Sequence, residues 1–517
     1  MLRISFAALF SGAIVLMAAS AAHAQTYPTN DPVIRAMWEQ GIEQSQTREL
    51  AHQFIDVIGP RLTGTDALFA AQNWLMQTYE SWGIDVTKEQ IGTWNGWRAG
   101  IFHVDMVEPR VADIEAELLA WSHGTDGPVT APVILPPAME EDLAAWWQQA
   151  EGAFLLASAP EVMCRASQEL EANARPGTVT SINEQRDAIN REWVQRSARV
   201  REFVGAMEDR NPEHFAGILT SRWSGGWGVN KVFSASGDPV VQFDIGCEDY
   251  GLLVRLAESG NTPVLRVEAD AEMTGEVPLF NVIGRIPGTE LPDEYVLLGA
   301  HADSWHAATG ATDNGTGSVM MLEAMRILKE TYPEPRRTII VGHWTSEEQG
   351  LIGSGAFRDD HPEIMEGLQT AFNQDNGTWR FVELEGQGFL ESRTHLPRWM
   401  SAVPPELTED ILIPVPGGQN NAGSDHSSFI CAEIPSFRFR SPYPEYRQYT
   451  WHTNRDTFDK IVFDDLAENA TIAAMVAYMA SEDPVRFDRT LANLPTDGRT
   501  GQPREWRSCR PSRRSAN

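Results

Sequence analysis

Histidine and acidic residues follow a segment with strand-like sequence. The apolar run 296–300 ends at His301, and Asp303 comes two positions later. Asp313 lies further on, in a glycine-rich stretch that precedes an amphipathic segment. In open α/β sheets, ligands bind in loops at the carboxyl ends of strands. A His-x-Asp pair in such a loop suits a metal site, because a carboxylate can hold the second ring nitrogen of a metal-binding imidazole.

Two later strand-like runs are also followed by carboxylates. Glu347 and Glu348 come after the β-branched run 338–342, and Asp375 comes after the apolar run 368–372. Successive side chains of extended backbone point to opposite sides. One glutamate of the pair could therefore bind metal while its neighbour faces a substrate.

A second candidate imidazole, His452, lies near the C-terminus. It completes a set of nitrogen and oxygen ligands on successive loops: His301, Asp313, Glu348, Asp375 and His452. One bridging carboxylate, with one histidine and one further carboxylate for each ion, makes a two-metal site whose ions lie about 3.5–4 Å apart. Imidazole with carboxylate suits Zn²⁺, and Co²⁺ or Mn²⁺ stay open as alternatives.

These motifs resemble those of the M28 family of zinc metallopeptidases (aminopeptidases), and within it the carboxypeptidase Q or plasma glutamate carboxypeptidase-like group. The matching motifs are His-Ala-Asp-Ser-Trp from 301, Ala-Thr-Asp-Asn-Gly from 311, Glu-Glu-Gln-Gly from 347, Asp375, Ser-Asp-His from 424 and His-Thr-x-x-Asp-Thr from 452. Their order matches across roughly residues 280–480, and residues 58–64 resemble the family's N-terminal region.

The resemblance implies a role for each ligand. His301 and Asp375 would bind one zinc ion, Glu348 and His452 would bind the other, and Asp313 would bridge the two. It also implies a cis peptide bond after Asp313, which is rare before a residue other than proline.

Two further roles follow from the same resemblance. Glu347 would be the general base, which takes a proton from water and later delivers it to the leaving amine. Asp303 would orient His301. Four residues near the motifs are candidates for contact with the substrate or with the ligands, with a purely structural role as the alternative: Asp425, His426, Tyr443 and Tyr446.

Strand and helix signals alternate from about residue 279 onward. This pattern predicts an α/β fold with a mixed, mostly parallel sheet and helices on both faces, as in zinc peptidases. The block 115–265 differs in character and occupies the place of a protease-associated-like α+β insert. The predicted organisation is a signal peptide over 1–24, a catalytic domain over 25–114 and 266–485, the insert over 115–265, and a polar, loosely ordered tail over 486–517.

The composition excludes some partners. The chain has 41 Lys and Arg against 72 Asp and Glu, a formal net charge of −31, which argues against binding to a nucleic-acid backbone. Residues 1–24 have the charged start, apolar middle and small-x-small end of a cleaved secretory signal, and no later run predicts a membrane span. We therefore expect an exported protein with short peptides as substrate. A homodimer stays open.

The four cysteines allow three pairings, and an exported protein permits disulfides. Cys164–Cys247, inside one predicted domain, is the first choice.

Three functions remain to be distinguished. The first is an exported di-zinc exopeptidase that hydrolyses N-terminal peptide bonds of short peptides or dipeptides. The second is a non-catalytic binding protein on the same fold, which the complete ligand set disfavours. The third is a mono-zinc enzyme resembling glutaminyl cyclases, which needs fewer ligands.

Overall fold

A computed structural model of the chain describes residues 29–207, 211, 213–418, 423–442, 446–494, 496, 500–502 and 505–516. Its strands are β1 Asp85–Glu108, β2 Ala112–Asp113, β3 Ala116–Leu118, β4 Val129–Ile134, β5 Phe154–Leu156, β6 Gly217–Thr220, β7 Val241–Ile245, β8 Val264–Ile286, β9 Leu291–His301, β10 Arg337–Trp344, β11 Leu368–Gln374, β12 Glu383–Leu384 and β13 Ser436–Arg440. Its helices are α1 Pro32–Trp38, α2 Thr47–Ala51, α3 Asp66–Ser81, α4 Leu143–Ala150, α5 Ser167–Asn173, α6 Thr178–Gly205, α7 Cys247–Glu258, α8 Thr316–Thr331, α9 Ile352–Asp360, α10 Pro362–Gly367, α11 Ser392–Met400, α12 Pro405–Thr408, α13 His426–Ile430 and α14 Phe463–Glu482.

The strands form one sheet in the order β12-β13-β11-β9-β10-β8-β4-β5-β6-β7-β3, with β1 paired to β8 and β2 paired to β1. β13, β11, β9 and β10 are parallel to one another, whereas β12 is antiparallel to β13 and β8 is antiparallel to β10. The predicted mixed, mostly parallel α/β sheet is confirmed.

Both faces of the sheet are covered by helices. Successive side chains of β9 belong to different cores, because strand side chains alternate in direction. Val296 and Leu298 pack in the core that includes α8 and α14, and Leu297 packs in the core that includes α9, α10 and α13. The apolar face of α8, including Met321 and Met325, lies in the first core. The central strands are therefore fixed from both sides.

A long antiparallel pair of strands, β1 and β8, links the two ends of the sheet. β1 has 24 residues and β8 has 23, and they pair along almost their whole length. β8 pairs with β10 through Ile283 and with β4 through Val267. In the amino-acid sequence around β1, only residues 84–90 have a strand-like pattern, which predicts a short edge strand. That prediction was too short because the ladder shifts register near Gly92 and Gly96, which interrupts the alternation.

Strands β4, β5, β6 and β7 form a second parallel group with its own core. The charged stretch 182–207 has apolar residues at helical spacing, which predicts a helix, and most of it lies in α6. The disulfide Cys164–Cys247 joins two parts of this region and confirms the expected pairing. The boundaries of the insert at 115 and 265 stay a prediction.

A second disulfide joins Cys431, just after α13, to Cys509 in the C-terminal tail. Ser512 Oγ donates to the carbonyl of Ile352, and Thr93 N donates to the carbonyl of Arg514. The expectation of a loosely ordered tail is therefore wrong for these residues. Within the described ranges, no helix combines the length and apolar character needed to cross a membrane. The predicted signal peptide lies outside the described residues.

Candidate metal centre

The candidate ligands lie at the carboxyl ends of three neighbouring parallel strands. His301 is the last residue of β9, Asp375 directly follows β11, and Glu347 and Glu348 lie three and four residues beyond the end of β10. β9 lies between β10 and β11, so their ends meet at one edge of the sheet. The strand order therefore gathers side chains that are far apart in the sequence.

One half of the cluster is centred on His301, whose side chain is fully buried. Its Nε2 lies 3.5 Å from Asp375 Oδ1 and 3.5 Å from Asp313 Oδ1. Glu347 Oε2 lies 4.0 Å from the same nitrogen. The ring nitrogen Nδ1 contacts the backbone carbonyl of Asp303 at 3.0 Å, whereas the Asp303 carboxylate is 3.7 Å away. This contact sets which ring nitrogen faces the cluster.

The other half is centred on His452. Its Nε2 lies 2.9 Å from Glu348 Oε2 and 3.5 Å from Asp313 Oδ2. Trp305 Nε1 donates to Glu348 Oε2 at 2.9 Å and fixes that carboxylate. Asp313 thus faces His301 with one oxygen and His452 with the other. This is the position that a bridging carboxylate needs.

The loop that carries Asp313 is held by the carboxylate of Asp456. Asp456 accepts the backbone N–H of Thr312 at 2.7 Å and of Asp313 at 3.0 Å. The Asp313–Asn314 peptide bond is cis, as the resemblance implied. Asn314 Nδ2 donates to the carbonyl of Gln374 at 2.8 Å, which ties this loop to the end of β11.

The charges of the cluster suit a cation. Burial raises the pKa of Glu348 well above its usual value, and repulsion from Asp313 raises it further. Burial alone would lower the pKa of His301, but attraction from Asp375 and Glu347 outweighs it and raises that pKa. Several buried carboxylates without balancing charge are costly, and a divalent ion between them removes that cost.

Unpaired atoms in the cluster provide a second test of whether a metal fits. Within the described part of the chain, His301 Nε2, Asp313 Oδ2 and Glu348 Oε1 are buried and have no hydrogen-bond partner. Buried polar atoms normally have one. Two trios in this cluster have ligand atoms that all lie within 4.8 Å of one another: His301, Glu347 and Asp375, and Asp313, Glu348 and His452. The residues present therefore fit a pair of divalent metal ions.

Asp303 acts on the glutamate pair as well as on His301. Its carboxylate accepts the backbone N–H of Glu347 at 3.2 Å and of Glu348 at 3.3 Å. Its side chain is fully buried. Asp303 therefore positions the turn after β10, a contact that the His-x-Asp spacing did not predict.

The remaining candidates lie around the cluster. Asp425 and His426 are fully buried at the start of α13, and burial raises the pKa of Asp425 to about 7 although His301 opposes the shift. Tyr446 lines a cavity of about 290 Å³ together with Thr312 and the aromatic residues Trp379 and Tyr449. Tyr443 lies outside the described residues. Contact of these four residues with a substrate stays a prediction.

The sequence did not reveal the residues that hold the ligands. Trp305, Asp456 and Phe233 each contact a candidate ligand or its backbone. Trp305 and Asp456 lie inside the motifs named above, but the motifs did not predict which groups these two residues contact. Phe233 comes from the predicted insert, and no local pattern links it to His452.

Comparison with known proteins agrees with this geometry. Residues 281–477 match the family model described as peptidase family M28. Mouse carboxypeptidase Q is 26% identical over 450 residues, which cover 86% of this chain and 87% of the relative, and human carboxypeptidase Q is 24% identical over 444 residues, which cover 86% of each.

Solved structures with the same fold include a peptidase M28 precursor from Shewanella amazonensis. It has a TM-score of 0.63 at 23% identity, covering 89% of this chain and 98% of that one. A zinc aminopeptidase from Bacillus subtilis has a TM-score of 0.56 at 20% identity, covering 86% and 96%. The family match includes the ends of β9, β10 and β11 and His452. The chain therefore carries an M28 peptidase domain and is a metallopeptidase of the hydrolase class.

Proposed function

We propose that the chain is an exported di-zinc exopeptidase that hydrolyses N-terminal peptide bonds of short peptides or dipeptides. The observation that carries this proposal is the position of Asp313, 3.5 Å from each of His301 and His452. Each half adds its own carboxylate, Asp375 or Glu348. The presence of the His452 half beside the His301 half favours this function over a mono-zinc reaction, which would need the ligands of only one half.

Zinc is the metal that the ligand chemistry and the relatives favour. Two imidazoles with carboxylates suit Zn²⁺, and Co²⁺ or Mn²⁺ can replace it at such ligands. The similar structure from Bacillus subtilis is a zinc aminopeptidase. Bound zinc supplies a Lewis acid that polarises a carbonyl and lowers the pKa of water.

Glu347 is placed to move the proton in hydrolysis. Its side chain is 10% exposed, and its Oε2 lies 4.0 Å from His301 Nε2. Its carboxylate takes a proton from the attacking water and passes it to the nitrogen of the departing amine. Asp303 holds the backbone of Glu347 in place during this transfer.

Export is supported by the cysteines as well as by the N-terminal sequence. Both disulfides, Cys164–Cys247 and Cys431–Cys509, join distant parts of the chain. Such bonds persist in oxidising compartments and are rare in the cytosol. A short-peptide substrate and a compartment outside the cytosol are therefore parts of the same proposal.

The experiment is a peptide-library digest with the purified mature protein, with and without a chelator. We expect release of single N-terminal residues, and loss of that release when the metal is removed. Glu347→Gln keeps both zinc ions and lowers turnover by about 10²–10⁴-fold, because a general base contributes this much. Exposed Glu334→Gln is the matched control and keeps full turnover. Unchanged hydrolysis by Glu347→Gln would refute the proposal.

A further inference from the structure

A segment of the predicted insert pairs directly with the loop that carries His452. Lys231 forms a β-bridge with Thr453, and the backbone N–H of Val232 donates to the carbonyl of His452 at 2.8 Å. Asn454 N donates to the carbonyl of Asn230 at 3.3 Å, and Asn230 N donates to Asn454 Oδ1 at 3.3 Å. Residues 230–233, which we call the insert segment, therefore hold the backbone on both sides of His452.

His452 needs such support because of its backbone conformation. Its φ is +58°, in the left-handed region that residues other than glycine rarely adopt. Such a conformation is strained and persists only when the surroundings enforce it. The Val232–His452 hydrogen bond is one such restraint, and it comes from a residue 220 positions away in the sequence.

The ring of His452 is also held by the insert segment. It stacks on Trp451, with ring centroids 3.9 Å apart, and meets the edge of Phe233 at 5.1 Å. Lys231 Nζ lies 3.9 Å from the centroid of the Trp451 ring. A cation over an indole face is attracted by the negative charge of the ring's π face. Lys231 and Phe233 therefore restrain both the ring and its stacking partner.

We propose that the insert segment is a positioning element for His452, so that the ion on the His452 side is bound tightly only while the insert segment is docked. This inference rests on the proposed function, in which His452 is a metal ligand. The His301 side has no such dependence, because His301 ends a central strand. The insert is thus coupled to one ion of the pair and not to the other.

The expected size of the effect follows from how metal ligands are supported. Removal of a residue that orients a metal ligand lowers the metal affinity by about 10–100-fold. Loss of the insert segment's contacts should therefore weaken the ion on the His452 side by this factor. The ion on the His301 side should keep its affinity within about threefold, since its ligands are not touched.

The test is a zinc titration of the full-length mature protein in zinc-buffered solutions, counting bound ions per chain. Val232→Pro removes the N–H that donates to His452, Phe233→Ala removes the ring edge, and Lys231→Met removes the ammonium while keeping an apolar stem. Arg165→Met is the matched control, because Arg165 lies over the ring of Trp227 at 5.1 Å elsewhere in the predicted insert. His452→Ala sets the limit for complete loss of the ligand.

We expect two ions in the wild type and in Arg165→Met, and one tight plus one weakened ion in the three test variants. Circular dichroism checks folding, and Lys231→Met with Phe233→Ala suffices if Val232→Pro does not fold. If the folded variants bind both ions as the wild type does, while His452→Ala loses one, the positioning role is wrong and the metal centre stands. If His452→Ala also keeps two tight ions, His452 is not a ligand and the proposed function fails with it.

Discussion

The two histidines of the candidate metal centre reach it in different ways. His301 ends a strand with parallel neighbours on both sides, and its carbonyl accepts a hydrogen bond from Ser318 Oγ at 2.8 Å. His452 lies on a loop with a positive φ, and Val232 and Phe233 of the predicted insert hold it. One half of the site is thus built by the sheet, and the other half depends on contacts between distant regions.

This difference has a consequence for metal binding. A ligand at the end of a buried strand is fixed when the sheet forms, because the strand cannot shift register without moving its whole apolar face. A ligand on a restrained loop is fixed only when its partners are in place. We therefore expect the His301 side to bind its ion more tightly than the His452 side.

The largest effect should come from removing each histidine in turn. His301→Ala and His452→Ala should each lose one ion and lower turnover by roughly 10³-fold, since a bound metal stabilises the transition state by several kcal/mol. The ion that remains should be tighter in His452→Ala than in His301→Ala. Zinc-buffer titration and peptide turnover measure both quantities. The reverse order of affinities would show that the sheet gives no advantage.

The same contrast explains what the sequence could predict. The ends of β9 and β11 were readable because an apolar strand followed by a polar residue is a local pattern, and so His301 and Asp375 were placed at one edge of the sheet. The Asp313–Asn314 cis bond and the Cys164–Cys247 pairing also agree with expectation. These features depend on short motifs or on few alternatives.

Long-range contacts were beyond local patterns. The β1–β8 pairing extends well past residues 84–90. The sequence did not predict this length, because glycines and register shifts break the alternation that marks a strand. The sequence does not predict the contact of Val232 with His452, since nothing near residue 232 resembles a metal-site motif. The polar composition of the C-terminal tail likewise predicts loose order, but the Cys431–Cys509 disulfide attaches the tail to the rest of the protein.

A smaller effect should follow from Asp456→Asn, because Asp456 holds the loop of Asp313, the carboxylate that both halves of the site share. The Asp456 carboxylate accepts two backbone N–H groups beside the bridging Asp313, whereas an amide has one acceptor oxygen. Both ions should therefore weaken together, by about 10-fold. Zinc titration should show equal shifts for both ions. Asp459→Asn, at an exposed side chain that bonds Thr457 and Lys460, is the control and should shift neither. Weakening of one ion alone would mean that Asp313 does not bridge.

The smallest effect concerns stability against acid. Here a buried histidine near each half of the site, His343 and His306, should contribute about equally. His343 supports the His301 side: Tyr79 OH donates to its Nε2, and its Nδ1 donates to Ser318 Oγ, which bonds the carbonyl of His301. His306 lies toward the insert, with Nε2 donating to the carbonyl of Leu118. Burial lowers the pKa of His343 to about 3 and of His306 to about 4, against 6.5 when unfolded.

Because both folded pKa values are below the unfolded value, the unfolded state binds more protons as the pH falls. The stability that depends on these neutral rings is complete above pH 6.5 and is lost as the pH falls toward 4 for His306 and 3 for His343. Between pH 7 and pH 5, each histidine should account for about 2 kcal/mol of the loss. Urea unfolding of the metal-free protein should therefore show a shallower pH dependence for His343→Gln and for His306→Gln, by about equal amounts. If the two variants changed the pH dependence of stability by unequal amounts, the burial of His343 and His306 would differ. The two sides of the candidate metal centre would then differ in burial as well as in backbone support.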